Sequence, residues 1–354
     1  MNIKKYLLMM LAVLLVMAVA STFLGLGSNP LAESLKAKED VSMAVTGDVM
    51  FARNMPGVLS LDESPFEGVS NVTSNVDLLL INFENAATTS EDAIKGDVPL
   101  KCDPSYVVLA KANENTIASL ANNHAFDYGI SGMQDTVGYL NDSGITVIGA
   151  GENEDAAHSA VTKEIKGRNI TVLNYMDSNN FAEYSYEVMP YANGSSAGYS
   201  AYDSGDAQKQ IAEHKNTSDL IVAYLHFGNE YSTSPNEDQI RIAHELIDYG
   251  ADVVIGSHPH VPQGIEMYKD KPIFYSLGNF IFDQSNADTH VAYFVKIDLI
   301  NNTGKCTVYP IYISNYLPQF MDSEDGDSLL NGLSPQCGNL TVQDGIGTLE
   351  FDLD

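Results

Sequence analysis

Two histidines one residue apart, His258 and His260 in the segment GSHPHV, close an apolar run at residues 251–255. Imidazoles held that near each other where a strand stops are the side chains that bind transition metals. Four more strand-like runs end in polar clusters of similar kind: TGDVM with Asp48, NFEN with Glu84, ANNHAFDYG with Asn123 and His124, and HFGNE with His226. Carboxylate, carboxamide and imidazole donors together suit Zn, Mn, Fe or Ni and suit Ca poorly. No thiolate is among them, which argues against a structural zinc knot. About six such donors can hold two divalent ions about 3.5 to 4 Å apart, bridged by a carboxylate and a hydroxide. Two dications beside Asp48 and Glu84 would make a positive hole in an acidic protein, fit for an anionic substrate group.

The elements that must place these groups alternate short β-branched runs with amphipathic stretches, the pattern of an α/β protein. Strands are expected at residues 41–46, 76–81, 116–120, 145–148, 220–225 and 253–255, and helices at 104–113, 131–142 and 237–249. The helix at 237–249 puts Ile240, Ala243, His244 and Ile247 on one face. Further strands at 272–276, 291–299 and 305–313 make the last hundred residues β-rich. In open α/β sheets ligands gather beyond the carboxyl ends of strands. Five polar clusters at five strand ends therefore predict one shared site. In an extended segment, side chains two apart point to the same side, so His258 and His260 can reach two adjacent ions, with Pro259 stiffening the turn.

The chain of 354 residues is 44% hydrophobic, enough for a sizeable core. Its 47 acidic against 18 basic residues give a net charge of -29, which repels phosphate backbones and argues against nucleic acid as a partner. Residues 1–28 read as an export segment, Lys4 and Lys5 preceding an uncharged run of about twenty residues that is long enough to span a bilayer. A retained membrane anchor and a cleaved signal peptide both fit, and either places the body outside the cytoplasm. A linker follows at 29–40, then a domain at 41–315 and a C-terminal segment at 316–354 packed on it. The three cysteines are too few for a disulfide scaffold, and Cys306–Cys337 is the nearer pairing in sequence. His158, His214, His244 and His290 read as ordinary polar histidines. The tyrosine-rich stretch at 174–202 reads as a solvated loop or as an insertion that contacts substrate.

The segments TGDVMFAR, NFEN, ANNHAFDYG, HFGNEY, GSHPHV and SLGNFIFDQ stand in an order and spacing that resembles the CapA, or poly-γ-glutamate capsule synthesis, family, a branch of the calcineurin-like metallophosphatases. The resemblance covers about residues 41–284. It implies a metallophosphatase-like α-β-β-α sandwich and two divalent ions, Mn, Zn or Fe. Asp48 would bind the first ion, Glu84 would bridge, Asn123 and His226 would bind the second, and His258 and His260 would each take one. His124 would be the general acid, oriented by Asp127. Glu230 and Asn279 would support the centre or face the substrate, and Arg53 would pair with an anionic group. Two departures stand out against metallophosphatases at large: Val49 and Met50 follow Asp48 where an Asp-x-His pair is usual, and Glu84 replaces the usual Asp.

The function so implied is the making, export or trimming of poly-γ-glutamate or a related anionic surface polymer, by attack of a metal-bound hydroxide on an amide or phosphoester. A non-catalytic polymer-binding factor with the metals as an anion clamp, and a general exported phosphoesterase, are the alternatives.

Overall fold

A computed structural model describes residues 38–178, 190–333 and 337–353. The chain divides into two units, Met1–Glu39 and Asp40–Asp354. The first lies almost wholly outside the described residues, and with it the expected export segment and most of the linker. Among the described residues, no helix is long and apolar enough to cross a membrane.

Strand periodicity of two sends alternate side chains to opposite faces, and β1 (Val41–Val49) and β2 (Leu78–Phe83) use both faces. Val41, Met43, Val45, Leu78 and Leu80 join one apolar cluster while Ala44, Leu79 and Ile81 join another. A strand buried on both sides must sit between two layers. β1 and β2 run parallel to each other and to β3 (Thr116–Ser119) and β4 (Thr146–Ile148). The second sheet is built from β5 (Val161–Ile165), β6 (Arg168–Met176), β7 (Leu220–His226), β8 (Val253–Ser257), β9 (Ile265–Tyr268) and β10 (Lys271–Phe274), ordered β9-β10-β8-β7-β6-β5. The first sheet is completed by β11 (Asn279–Ile281), β12 (Val291–Ile300), β13 (Thr303–Ser314), β14 (Leu317–Phe320), β15 (Thr341–Gln343) and β16 (Ile346–Asp352). Its order is β15-β16-β13-β12-β1-β2-β3-β4, with β11 beside β1 and β14 beside β13.

Side chains from both sheets share the middle cluster, among them Val45, Leu80 and Val295 from the first and Val172, Val222 and Ile255 from the second. Tyr224 crosses between the sheets to donate its hydroxyl to the Thr46 carbonyl at 3.0 Å. Helix α1 (Gly129–Asp142) covers the first sheet through Met133 and Leu140. Helices α2 (Ser204–His214) and α3 (Glu237–Tyr249) cover the second, where Ile211, Ile242 and Leu246 pack on Leu173, Ala223 and Val254. The result is a mixed α/β fold of two stacked sheets with helices on the outer faces.

Several elements differ from the sequence expectation. The helix expected at 104–113 is a 3-10 helix, Pro104–Ala110, opened by Asp103 accepting the Ser105 N–H. The β-branched pair Val107 and Val108 disfavours an α-helix there. β2 begins at Leu78, two residues late, because Asp77 is pinned at its entrance: its N–H donates to the Ser42 carbonyl and its carboxylate accepts the Ser42 N–H. Helix α3 buries Gln239, Ile242, Ala243, Leu246 and Ile247, leaving Ile240 and His244 half-buried. A capping box between Asn236 and Gln239 sets that rotation, and the Gln239 amide donates inward to Gln263 Oε1 at 2.8 Å. Helix α4 (Ser323–Leu333) packs its buried Leu330 in the middle cluster. All three cysteines are buried free thiols, so the Cys306–Cys337 pairing weighed from the sequence is not formed.

Candidate metal centre

Asp48 near the end of β1, Glu84 just beyond β2 and His260 just beyond β8 are fully or almost fully buried, and one donor atom from each lies within 4.8 Å of the others. Asn82, a residue the sequence did not mark, sits between the acids. Its amide donates to Asp48 Oδ1 at 2.8 Å and to Glu84 Oε2 at 2.9 Å, and lies 3.3 Å from His226 Nδ1. The other two oxygens, Asp48 Oδ2 and Glu84 Oε1, are buried and accept no hydrogen bond. Buried carboxylate oxygens left this way are costly unless a cation completes them. His260 Nδ1 is 3.2 Å from Asp48 Oδ2 but directs its proton to Asn279 Oδ1 at 2.8 Å. The Nε2 lone pair then stands 3.8 Å from Glu84 Oε1, as a metal ligand requires.

The electrostatics follow from packing acids and imidazoles together without solvent. Burial raises the Asp48 carboxyl, but the adjoining His260 ring, together with His226, more than offsets this and holds it below the usual carboxylate range. Burial, then the charge and proximity of Asp48 and the charge of Glu230, push Glu84 well up. Burial and neighbouring imidazoles lower His226, and lower His258 to about 4, so both rings are neutral near pH 7, the form in which an imidazole can bind a metal. His260 is raised, the proximity and charge of Asp48, the charge of Glu230 and the hydrogen bond to Asn279 overcoming burial.

Both histidines of the His-Pro-His turn hold left-handed backbone, φ 99° at His258 and 61° at His260. The extended segment expected from the sequence is therefore replaced by a strained turn. Such conformations cost about 1–3 kcal/mol each and persist where surroundings over-determine them. The turn keeps the rings at 6.2 Å between centroids, with His226 4.7 Å from His258. His226, the last residue of β7, places Nε2 3.0 Å from Asn123 Oδ1. The two asparagines of ANNHAFDYG divide the labour. Asn122 shapes the loop, accepting from the His124 and Ala125 N–H groups and donating to Asn82 and Phe83, while Asn123 faces His226.

His124 Nδ1 meets Asp127 Oδ2 at 2.7 Å, and the Leu100 N–H donates to the same oxygen at 2.6 Å. A second residue unmarked in the sequence joins them. Lys95 is buried, its Nζ 3.1 Å from His124 Nδ1, 3.4 Å from His124 Nε2 and 3.7 Å from Asp127 Oδ1. Burial lowers both Lys95 and His124, partly opposed by the Asp127 charge. Lys95 lies in an irregular stretch, where no periodicity announces a buried lysine.

The remaining candidates fall around the centre. Asn279 supports His260 directly. Glu230 is half-buried, and its charge bears on Glu84, Lys95, His258 and His260. Arg53 is already engaged: its guanidinium pairs with Asp283 and stacks on Phe282, so an anion would share it.

The fold and the site define a class: a two-sheet α/β protein whose strand ends converge on a buried carboxylate, carboxamide and imidazole centre fit for divalent cations. Residues 42–284 match the bacterial capsule synthesis protein family PGA_cap, and the chain belongs to that family. It is 32% identical to the PGA biosynthesis protein CapA of Bacillus subtilis (strain 168) over 335 residues, 91% of this chain and 86% of that protein. It is 28% identical to the capsule biosynthesis protein CapA of Bacillus anthracis, covering 89% of this chain and 78% of the relative.

Proposed function

We propose that this chain is an exported metal-dependent hydrolase acting in the synthesis, export or trimming of poly-γ-glutamate or a related anionic surface polymer. The observation that carries the reading is the pair of buried, unsatisfied oxygens, Asp48 Oδ2 and Glu84 Oε1, beside His260 and gathered with the neutral imidazoles of His226 and His258. Membership in a capsule-synthesis family and the names of its relatives supply the substrate class. Asp48, Glu84 and His260 would hold one ion, and Asn123, His226 and His258 a second, with Glu84 shared. Bound there, the ions supply Lewis acidity and a water of lowered pKa. His124 holds the proton for the leaving group, and Asp127 fixes the ring through Nδ1. Asn279 fixes His260, and the buried floor of Asn82 and Asn122 keeps the carboxylates in place.

The full chain, loaded with Mn, Zn or Fe, is to be incubated with γ-linked glutamate oligomers and with a chromogenic phosphodiester. Metal-dependent cleavage of the oligomer, lost in His226→Ala, is the expected result. No rate above background with any of the three metals on either substrate overturns the hydrolase. A non-catalytic polymer-binding factor is the second reading, and Lys95 favours it: an ammonium stands 3.4 Å from His124 Nε2, the atom a general acid would use. Polymer handling that survives His124→Ala but not His226→Ala selects that reading.

A further inference from the structure

Beside the centre lies a recess of about 300 Å³, walled by Arg53, Asn54, Tyr231 and the run from Asp283 to Asn286. Its volume is at the low end of small-ligand pockets, roughly 300–1,000 Å³, so it fits a short stretch of a longer chain. Three separate connections join it to the metal ligands. Phe282 packs on His260, ring centroids 4.9 Å apart, and carries the Arg53 guanidinium on its face at 5.4 Å. The Tyr231 N–H donates to the Pro259 carbonyl at 2.8 Å, inside the His-Pro-His turn. Gln284 Oε1 accepts from the Asn279 amide that also holds His260.

The wall chemistry is specific. Asp283 is 1% exposed at its side chain and accepts from the Asn54 N–H as well as pairing with Arg53, while the Arg53 side chain is 33% exposed. The carboxylate is thus the buried backing, and the guanidinium is what the recess presents. A guanidinium carries five donors, more than one carboxylate can use. The Asn54 carboxamide matches both amide N–H and C=O groups, and the NH2 groups of Gln284 and Asn286, whose oxygens already accept from Asn279 and from the Asp288 N–H, match amide C=O groups. Tyr231, 49% exposed, offers a ring face above them. Arg53 and Tyr231 also hold left-handed backbone, φ 53° and 63°, the kind of strain that gathers at ligand clamps.

We propose that this recess is a subsite for one acidic residue of an amide-linked polymer, its carboxylate on Arg53 and its backbone amide on the carboxamides. The assignment rests on the proposed function and names where the chain next to the scissile bond lies.

The test is calorimetric binding of a synthetic γ-linked glutamate tetramer to the full chain, with and without Mn. The same tetramer with its α-carboxylates converted to carboxamides, and a neutral sugar oligomer, serve as comparison ligands. The acidic tetramer is expected to bind at least tenfold more tightly than its carboxamide form. Arg53→Gln and Ser285→Trp are each expected to weaken it at least tenfold. Ser285→Trp fills the recess from an exposed position and leaves the Asp283 pair intact, so it stays informative if Arg53→Gln misfolds. Absence of tetramer binding, equal binding of acid and carboxamide, wild-type affinity in the folded variants, or preference for the sugar each overturns the subsite. Arg53-dependent binding by a chain that never hydrolyses the polymer leaves the subsite standing and removes only the hydrolase. Hydrolysis with Arg53-independent binding does the reverse.

Discussion

His260 donates its Nδ1 proton to Asn279 Oδ1 across 2.8 Å, and Asn279 is itself held by donating to Gln284 Oε1 and the Thr289 carbonyl. One buried carboxamide therefore decides which imidazole nitrogen faces Glu84. Outer partners of this kind typically contribute about 10- to 100-fold in metal affinity. Asn279→Ala is expected to weaken Mn or Zn binding by that factor while leaving the protein folded, as read by metal titration and circular dichroism. Unchanged affinity would mean that the ring is fixed by the Phe282 and Tyr231 rings alone, whose centroids lie 4.9 and 6.2 Å from that of His260.

Asn82 is expected to matter most when the metal is absent. Its amide is shared by Asp48 and Glu84, so Asn82→Ala leaves two buried oxygens without donors, in addition to the two already unsatisfied. An unsatisfied buried group costs about 1–3 kcal/mol. Denaturant unfolding should show a loss of about that size in the metal-free variant, most of it recovered at saturating Mn. A deficit of equal size with and without Mn would place Asn82 in packing rather than in charge management.

The raised carboxyl of Glu84 gives a pH signature with a definite sign. Its folded pKa lies above the ordinary glutamate value, so the folded state holds the proton that the unfolded state has released. Stability from this group is present at acid pH and falls as pH rises from about 4.5 through the folded value. The same proton must leave before a cation binds, so metal affinity rises with pH over that window and binding releases protons. Metal-free protein should therefore lose the Glu84 contribution above about pH 4.5, against the opposite trend from the lowered His226 and His258. The loss is read as the difference in stability between the parent and Glu84→Gln shrinking or reversing as pH rises. Calorimetry in buffers of different ionisation enthalpy should show proton release on Mn binding at pH values below the folded Glu84 pKa, and none would contradict the raised carboxyl.

The five strand-end clusters were legible in the sequence because a polar residue that ends an apolar run has few structural reasons to be there. Asp48, Glu84, Asn123, His226, His258 and His260 do meet, from positions spread over more than two hundred residues. Asn82 was hidden because it sits inside the apolar run LLLINF, where the strand seemed to stop one residue earlier. Lys95 was hidden because its contacts to His124 and Asp127 close a span of about thirty residues that includes a 3-10 helix and strand β3, and no local pattern encodes them. The left-handed His-Pro-His turn is not legible in the sequence, since the sign of φ at a histidine leaves no mark in composition. The hairpin of β5 and β6 went unmarked too, although the register β6 sets with β7 is what brings His226 to the edge.

Two glycines set how closely the strands approach at the centre, and they yield the last prediction. A Cβ on Gly47, next to Asp48, would lie 1.8 Å from the Gly278 carbonyl oxygen, and one on Gly256 would lie 2.2 Å from the Tyr275 carbonyl oxygen. Both obstacles are backbone, so neither can swing aside. The Gly278 carbonyl also accepts the Asp48 N–H at 3.2 Å, so pushing it away moves Asp48 itself. Overpacking of this kind costs typically about 1–3 kcal/mol. Gly47→Ala should therefore be less stable by at least that amount and should bind Mn more weakly, because Asp48 shifts with the strand. Gly138→Ala, on helix α1 with open space around it, is the control and should leave metal affinity unchanged. If Gly47→Ala matches that control in both melting temperature and metal titration, the close packing of β1 against the loop before β11 does not position Asp48.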